Sequence, residues 1–124
     1  MLPQRNLLRQ LTWSLPSGQS IAAAMRVTPL ADADLSELQP YGFQSSTPLW
    51  YYVLKEAELV EDGFHLGPVG GRIVAEVLIG LLQSDTASYL VQKPNWKPTL
   101  GSGGSFTITD WLKIAGVDPA SRGQ

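Results

Sequence analysis

Asn6 and Arg9 lie three residues apart in the stretch Arg5-Asn6-Leu7-Leu8-Arg9, which reads as a short helical turn over residues 5–11. Residues at i and i+3 face the same way on a helix. A guanidinium matches a carboxylate bidentately, and a carboxamide can orient an imidazole from behind. Arg5, Arg9 and Arg26 are unopposed by any acid in residues 1–26, so the N-terminal arginines could meet an anion. His65 is the chain's one histidine, set in Asp62-Gly63-Phe64-His65-Leu66, and no cysteine accompanies it. A transition-metal site built on His and Cys therefore lacks ligands. The same shortage argues against acyl chemistry, which needs a base held by a third group. Gly67-x-x-Gly70-Gly71 lacks the Gly-Lys-Ser/Thr ending of a phosphate loop and follows no strong strand. It reads instead as a helix start with close packing. These motifs predict no catalytic and no metal-ligating residue in the chain.

The elements that hold these residues are read from caps and periodicity. Pro16 ends the first turn, and Ser17 is placed to cap a helix running to about Val27. Its buried stripe is expected at Ile21, Ala22, Ala24 and Met25. A short helix follows over about 31–38, with Asp32 and Asp34 near its positive end. Residues 39–46 read as loop. Thr47 and Pro48 look like the cap and first position of the next helix. On it Leu49, Tyr52, Val53, Glu56 and Ala57 share a face, and Gly63 makes a left-handed stop. The longest helix is expected over about 68–84. It is apolar nearly all round, with Arg72, Glu76 and Gln83 as a narrow polar stripe, and so belongs in a core. Residues 85–106 read as a long surface loop, flexible at 101–105 (Gly101-Ser102-Gly103-Gly104-Ser105). Thr109 is expected to cap a last helix over 110–115, and 118–124 reads as a loose tail. The fold class is mainly α.

Bulk properties narrow the function classes. A chain of 124 residues is about one domain. A net charge of −2, with no basic tract interleaved with aromatics, points away from nucleic acid. Seven acids against Lys55 alone make residues 32–62 an acidic face. The apolar run 77–82 falls far short of the roughly 20 residues of a membrane span. The N-terminus has no long apolar stretch of the secretory kind. Absence of cysteine fits a cytoplasmic protein without proving it.

Asn6, Arg9 and the turn Leu15-Pro16-Ser17-Gly18-Gln19, taken with GPVGGRIVAEVLIGLL over 67–82, carry a resemblance. So do Thr47-Pro48-Leu49-Trp50-Tyr51-Tyr52, Ser88-Tyr89-Leu90, Trp96-x-Pro98-Thr99-Leu100 and Asp110-Trp111-Leu112. In this order and spacing they resemble the C-terminal part of the bacterial branch of the animal-type haem peroxidases. The resemblance runs from about Arg5 to Val117. One departure is Gln10, where the bacterial pattern usually has glycine.

The resemblance implies that residues 1–124 are an incomplete, C-terminal region of a peroxidase domain. Such a chain would be a fragment, a split gene product or an excised piece. It implies haem as cofactor, Asn6 beside the proximal histidine, and Arg9 on a haem propionate. It places the family's axial and distal histidines upstream of the matching region, so the chain alone is expected to be inactive. In the complete enzyme, peroxide would be reduced as a donor is oxidised; that donor could be a small organic molecule, a halide or a fatty acid. The expected partner is the upstream catalytic half, or a second copy through self-association. The alternative reading is a non-enzymatic helical module that binds a partner.

Overall fold

The structure is a computed structural model and describes residues 1–117. The described residues are mainly helical, as the sequence predicts. The chain divides into two compact units, one over residues 1–80 and one from 81 onward. The predicted tail at 118–124 lies outside the described residues.

In the first unit, α1 is Leu2–Thr12, α2 is Gly18–Ala24, a 3₁₀ helix spans Asp32–Tyr41 and α3 is Leu49–Glu61; α4, Pro68–Ser84, starts in this unit and runs four residues past its end. Ser17 caps α2 as expected, its Oγ accepting the Ser20 N–H at 3.2 Å. The helix ends three residues early. Arg26 takes a left-handed φ of 58°, which turns the chain toward Val27. Of the expected stripe, Ala22 is buried and Ile21 and Met25 are half-buried, while Ala24 faces solvent.

The core is small. Ala22, Tyr52 and Val69 are its centre, with Ile21, Met25, Val27, Leu30, Val53 and Ile73 packed around them. Leu35 is buried as well. The expected face of α3 is the one that turns inward, with Tyr52, Glu56 and Ala57 buried. Gly18 makes this packing possible: a Cβ there would lie 1.9 Å from Tyr52 Cγ. The Tyr52 hydroxyl is held at its far end, accepting the Leu30 N–H at 2.9 Å.

Two helix starts differ from expectation. Pro48, not Thr47, occupies the cap position of α3. Thr47 is buried and its hydroxyl is spent elsewhere: it donates to the Phe43 carbonyl at 2.8 Å and accepts from Gln19 Nε2 at 2.9 Å. Gln19 Oε1 in turn accepts the Thr47 N–H at 2.9 Å. The segment expected as loop from residue 39 continues as 3₁₀ helix to Tyr41, and Gly42 closes it at φ 73°.

In the second unit, α5 is Tyr89–Gln92 and α6 is Ile108–Ile114. α5 interrupts the stretch read as one long loop. The cap of α6 is Thr107, not Thr109. Asp110 explains the choice: its Oδ2 accepts the Thr107 N–H at 3.0 Å, while Thr107 Oγ1 accepts the Asp110 N–H at 3.3 Å. This reciprocal box satisfies two otherwise unpaired donors. It also holds the Asp110 carboxyl below its ordinary pKa, chiefly through the backbone N–H of Thr107. The run 101–105 forms a tight turn closed by Ser102 and Ser105, whose N–H groups donate to each other's carbonyls at 3.1 and 3.0 Å.

α4 does not lie in a core along its length. Only Val69 and Gly70 are buried, and Val74, Val77, Leu78 and Ile79 are each about half exposed. The core is too small to cover a helix that is apolar on most of its circumference.

Candidate functional site

α1 is amphipathic, and its two faces have different surroundings. At about 100° per residue, Gln4, Leu7, Leu8 and Leu11 form one stripe. That stripe lines a groove of about 560 Å³, completed by Leu38, Tyr41, Phe43, Pro48 and Tyr51. Asn6 and Arg9 stand on the opposite side of the helix. Arg9 is roughly 160° from the middle of the groove stripe. As the spacing predicts, the two side chains meet: Arg9 Nη1 donates to Asn6 Oδ1 at 3.4 Å. The pair is accessible, with Arg9 exposed and Asn6 half-buried.

Gln10 fixes the angle of α1. Its Nε2 donates to the carbonyls of Leu15 and Pro16, and its Oε1 accepts the Leu49 N–H at 3.1 Å. One side chain thus ties α1 to the Leu15-Pro16 turn and to the start of α3. Glycine at this position could make none of these bonds. The role is invisible in sequence, because Leu49 lies 39 residues away.

Two of the groove's polar side chains are bonded within the chain. Gln10 is bonded at both ends, and the Tyr51 hydroxyl donates to Glu37 Oε1 at 2.8 Å. That bond holds the Glu37 carboxyl below its ordinary pKa and pushes the Tyr51 phenol up. Lys55 Nζ lies 3.3 Å from Glu37 and 3.2 Å from Glu58. Its pKa is raised, first by Glu58. The rest of the lining is mostly apolar, with Gln4 and Tyr41 as its other polar residues.

His65 stands apart from both features. It is exposed, with Nε2 3.3 Å from Glu61 Oε2, one helical turn back across the end of α3. Among the described residues, no three His, Asp, Glu or Cys side chains converge as a metal site.

The Gly67–Gly71 segment is a packing device, as its composition suggests. Glu56, 2% exposed, points its carboxylate at the start of α4. Oε2 accepts the Val69 N–H at 3.0 Å and the Gly70 N–H at 3.1 Å, and Oε1 accepts the Val69 N–H at 3.1 Å. These donors have no partner within the helix, and the helix dipole favours an anion there. A Cβ at Gly67 would sit 2.6 Å from Glu56 Cγ, and one at Gly70 would sit 3.0 Å from Val53 Cβ. Glu56 was placed on the inward face by periodicity. Its capping role needs the α3–α4 crossing, which no local pattern carries.

No family model, curated protein or solved structure matches the chain.

Asn6, Arg9 and His65 are all absent from the groove's lining. Haem iron needs an axial donor, and the single imidazole stands outside the groove with its Nε2 3.3 Å from Glu61 Oε2. Asn6 and Arg9 face away from the groove, so the mostly apolar cavity and the pair suited to a propionate are not one site.

Proposed function

We propose that this chain is a helical docking module that works by burying its exposed apolar surface against another protein body. The observation that carries this reading is the imbalance on α4. One edge of the helix holds Val69 in the core, while Val74, Val77, Leu78 and Ile79 face solvent. Full burial of such a side chain is worth roughly 1.5–3 kcal/mol, and each of these half-exposed residues forgoes about half of that. A contiguous apolar face marks an interaction surface. No helix among the described residues is long and apolar enough to cross a membrane.

The resemblance supplies a specific identity for that body: the haem-holding half of a bacterial peroxidase. Asn6 and Arg9 would reach a haem held there, on the proximal side and at a propionate. Their pairing on an accessible face of α1 supports this, and so does the spare hydrogen-bonding capacity of the guanidinium. The activity proposed for the assembled protein is peroxide reduction coupled to donor oxidation. The chain's own part is binding and orientation.

This reading has a direct consequence for the chain by itself. Mixed with haem, it should turn over peroxide and a reducing dye no faster than free haem, and His65→Ala should change nothing. Steady-state turnover well above free haem and abolished by His65→Ala would overturn the assignment of haem ligation to another body.

A further inference from the structure

The second unit holds a cavity of a different kind from the α1 groove. It measures about 660 Å³, within the roughly 300–1,000 Å³ of small-ligand clefts. Ala87, Tyr89, Gln92, Lys93 and Trp96 line it, all from the stretch 87–96, so it takes nothing from the first unit. Local hydrogen bonds build it. The Lys93 N–H donates to the Tyr89 carbonyl at 2.8 Å, and the Trp96 N–H donates to the Lys93 carbonyl at 2.9 Å. These turns bring the rings of Tyr89 and Trp96 together edge to face, with centroids 5.7 Å apart and planes inclined at 70°. Gln92 Nε2 is tied back to the Thr86 carbonyl at 2.7 Å. Tyr89 and Trp96 are each 52% exposed, so ring surface is open to a ligand.

The polar groups of the lining select the kind of ligand. An ammonium has three donors and no acceptor, and an indole N–H only donates. Among the described residues, Lys93 Nζ makes no ion pair, and neither it, Trp96 Nε1 nor the Tyr89 hydroxyl is hydrogen-bonded. No lining residue is acidic. Asp85, the nearest acid in sequence, has its Oδ1 on the Ala87 N–H at 2.8 Å. Free donors thus outnumber acceptors beside two aromatic rings. A sugar needs acceptors for its hydroxyls as well as donors. An acceptor-rich planar anion suits this inventory better.

We propose that the corner between Tyr89 and Trp96 binds a small aromatic carboxylate, its ring packed against the two side-chain rings and its carboxylate on Lys93 Nζ. Aromatic packing supplies the contact area, and the ammonium supplies a charge-assisted hydrogen bond. The site is independent of the docking reading above.

Titration of the ¹⁵N-labelled full chain with 2-naphthoate, following the indole N–H signals of its four tryptophans, tests this. Expected is a saturable shift of the Trp96 signal, with a dissociation constant below about 1 mM, while Trp13, Trp50 and Trp111 stay in place. Neutral 2-naphthamide should bind about threefold more weakly, the size of one exposed charge pair. Lys93→Gln should weaken naphthoate by the same factor and leave naphthamide unchanged. Tyr89→Ala should weaken both ligands about tenfold. Lys93 is exposed, so Lys93→Gln should leave the thermal melt as it is. No saturable shift at Trp96 up to about 10 mM overturns the inference. So does a naphthoate affinity indifferent to Lys93→Gln, or a Trp96 signal that moves with cellobiose and not with naphthoate.

Discussion

Replacing Glu56 by alanine should lower the stability of the first unit by about 3 kcal/mol. The carboxylate accepts the N–H groups of Val69 and Gly70, both buried, at 3.0–3.1 Å. Alanine removes the acceptor and leaves two buried donors with nothing to bond. Each such orphan costs about 1–3 kcal/mol. For a unit of this size, 3 kcal/mol corresponds to a fall in melting temperature of roughly 12–24 °C. Glu56→Gln keeps one oxygen that can serve both donors, so its loss should be nearer 1 kcal/mol. Glu58→Ala, on the exposed side of the same helix, should stay within about 0.5 kcal/mol despite losing a contact with Lys55. Thermal melts of the three variants decide the matter. An alanine variant melting within a few degrees of wild type would mean the cap is idle.

The other large effect is at Gly18, where alanine should destabilise by about 2 kcal/mol although alanine is the better helix former. The helical preference is worth about 1 kcal/mol in favour of alanine. Against it stands a Cβ placed 1.9 Å from Tyr52 Cγ, inside any possible contact distance. The ring cannot simply yield. It is fully buried, and its hydroxyl is held by the Leu30 N–H. Overpacking of this kind costs about 1–3 kcal/mol or more, so the clash wins. Gly80 supplies the contrasting sign. A Cβ there meets nothing within 4 Å, and Gly80→Ala in α4 should stabilise by about 0.5–1 kcal/mol. Denaturant melts that moved the two variants in the same direction would contradict this account of both glycines.

What could be read from the sequence was local. The Ser17 cap, the inward face of α3 and the Gly67-Pro68 helix start depend on neighbours within a few residues, and each is where it was expected. The pairing of Asn6 with Arg9 is of the same kind. Errors arose where a distant group claimed a side chain. Thr47 could not cap α3 because Gln19, 28 residues away, occupies its hydroxyl. Thr109 loses to Thr107 because Asp110 sits three residues after the latter, the spacing of a capping box. The groove and the Gln10 clamp were out of reach, since both depend on where α1 lies against α3. The burial of α4 was overestimated for a related reason: periodicity tells which faces are apolar, not whether the chain has enough material to cover them.

The central claim is that the folded chain presents an apolar face on α4 awaiting a partner. Titration with a hydrophobic fluorescent dye under native conditions tests it most directly, with wild type beside the double variant Val74→Lys/Leu78→Lys. Both positions are about half exposed, so the variant should keep the cooperative melt of the wild type. The account expects strong dye binding by the folded wild type and a clear loss of it in the variant. A wild type that melts cooperatively yet binds no dye, or one whose dye binding is untouched by the two lysines, would contradict it.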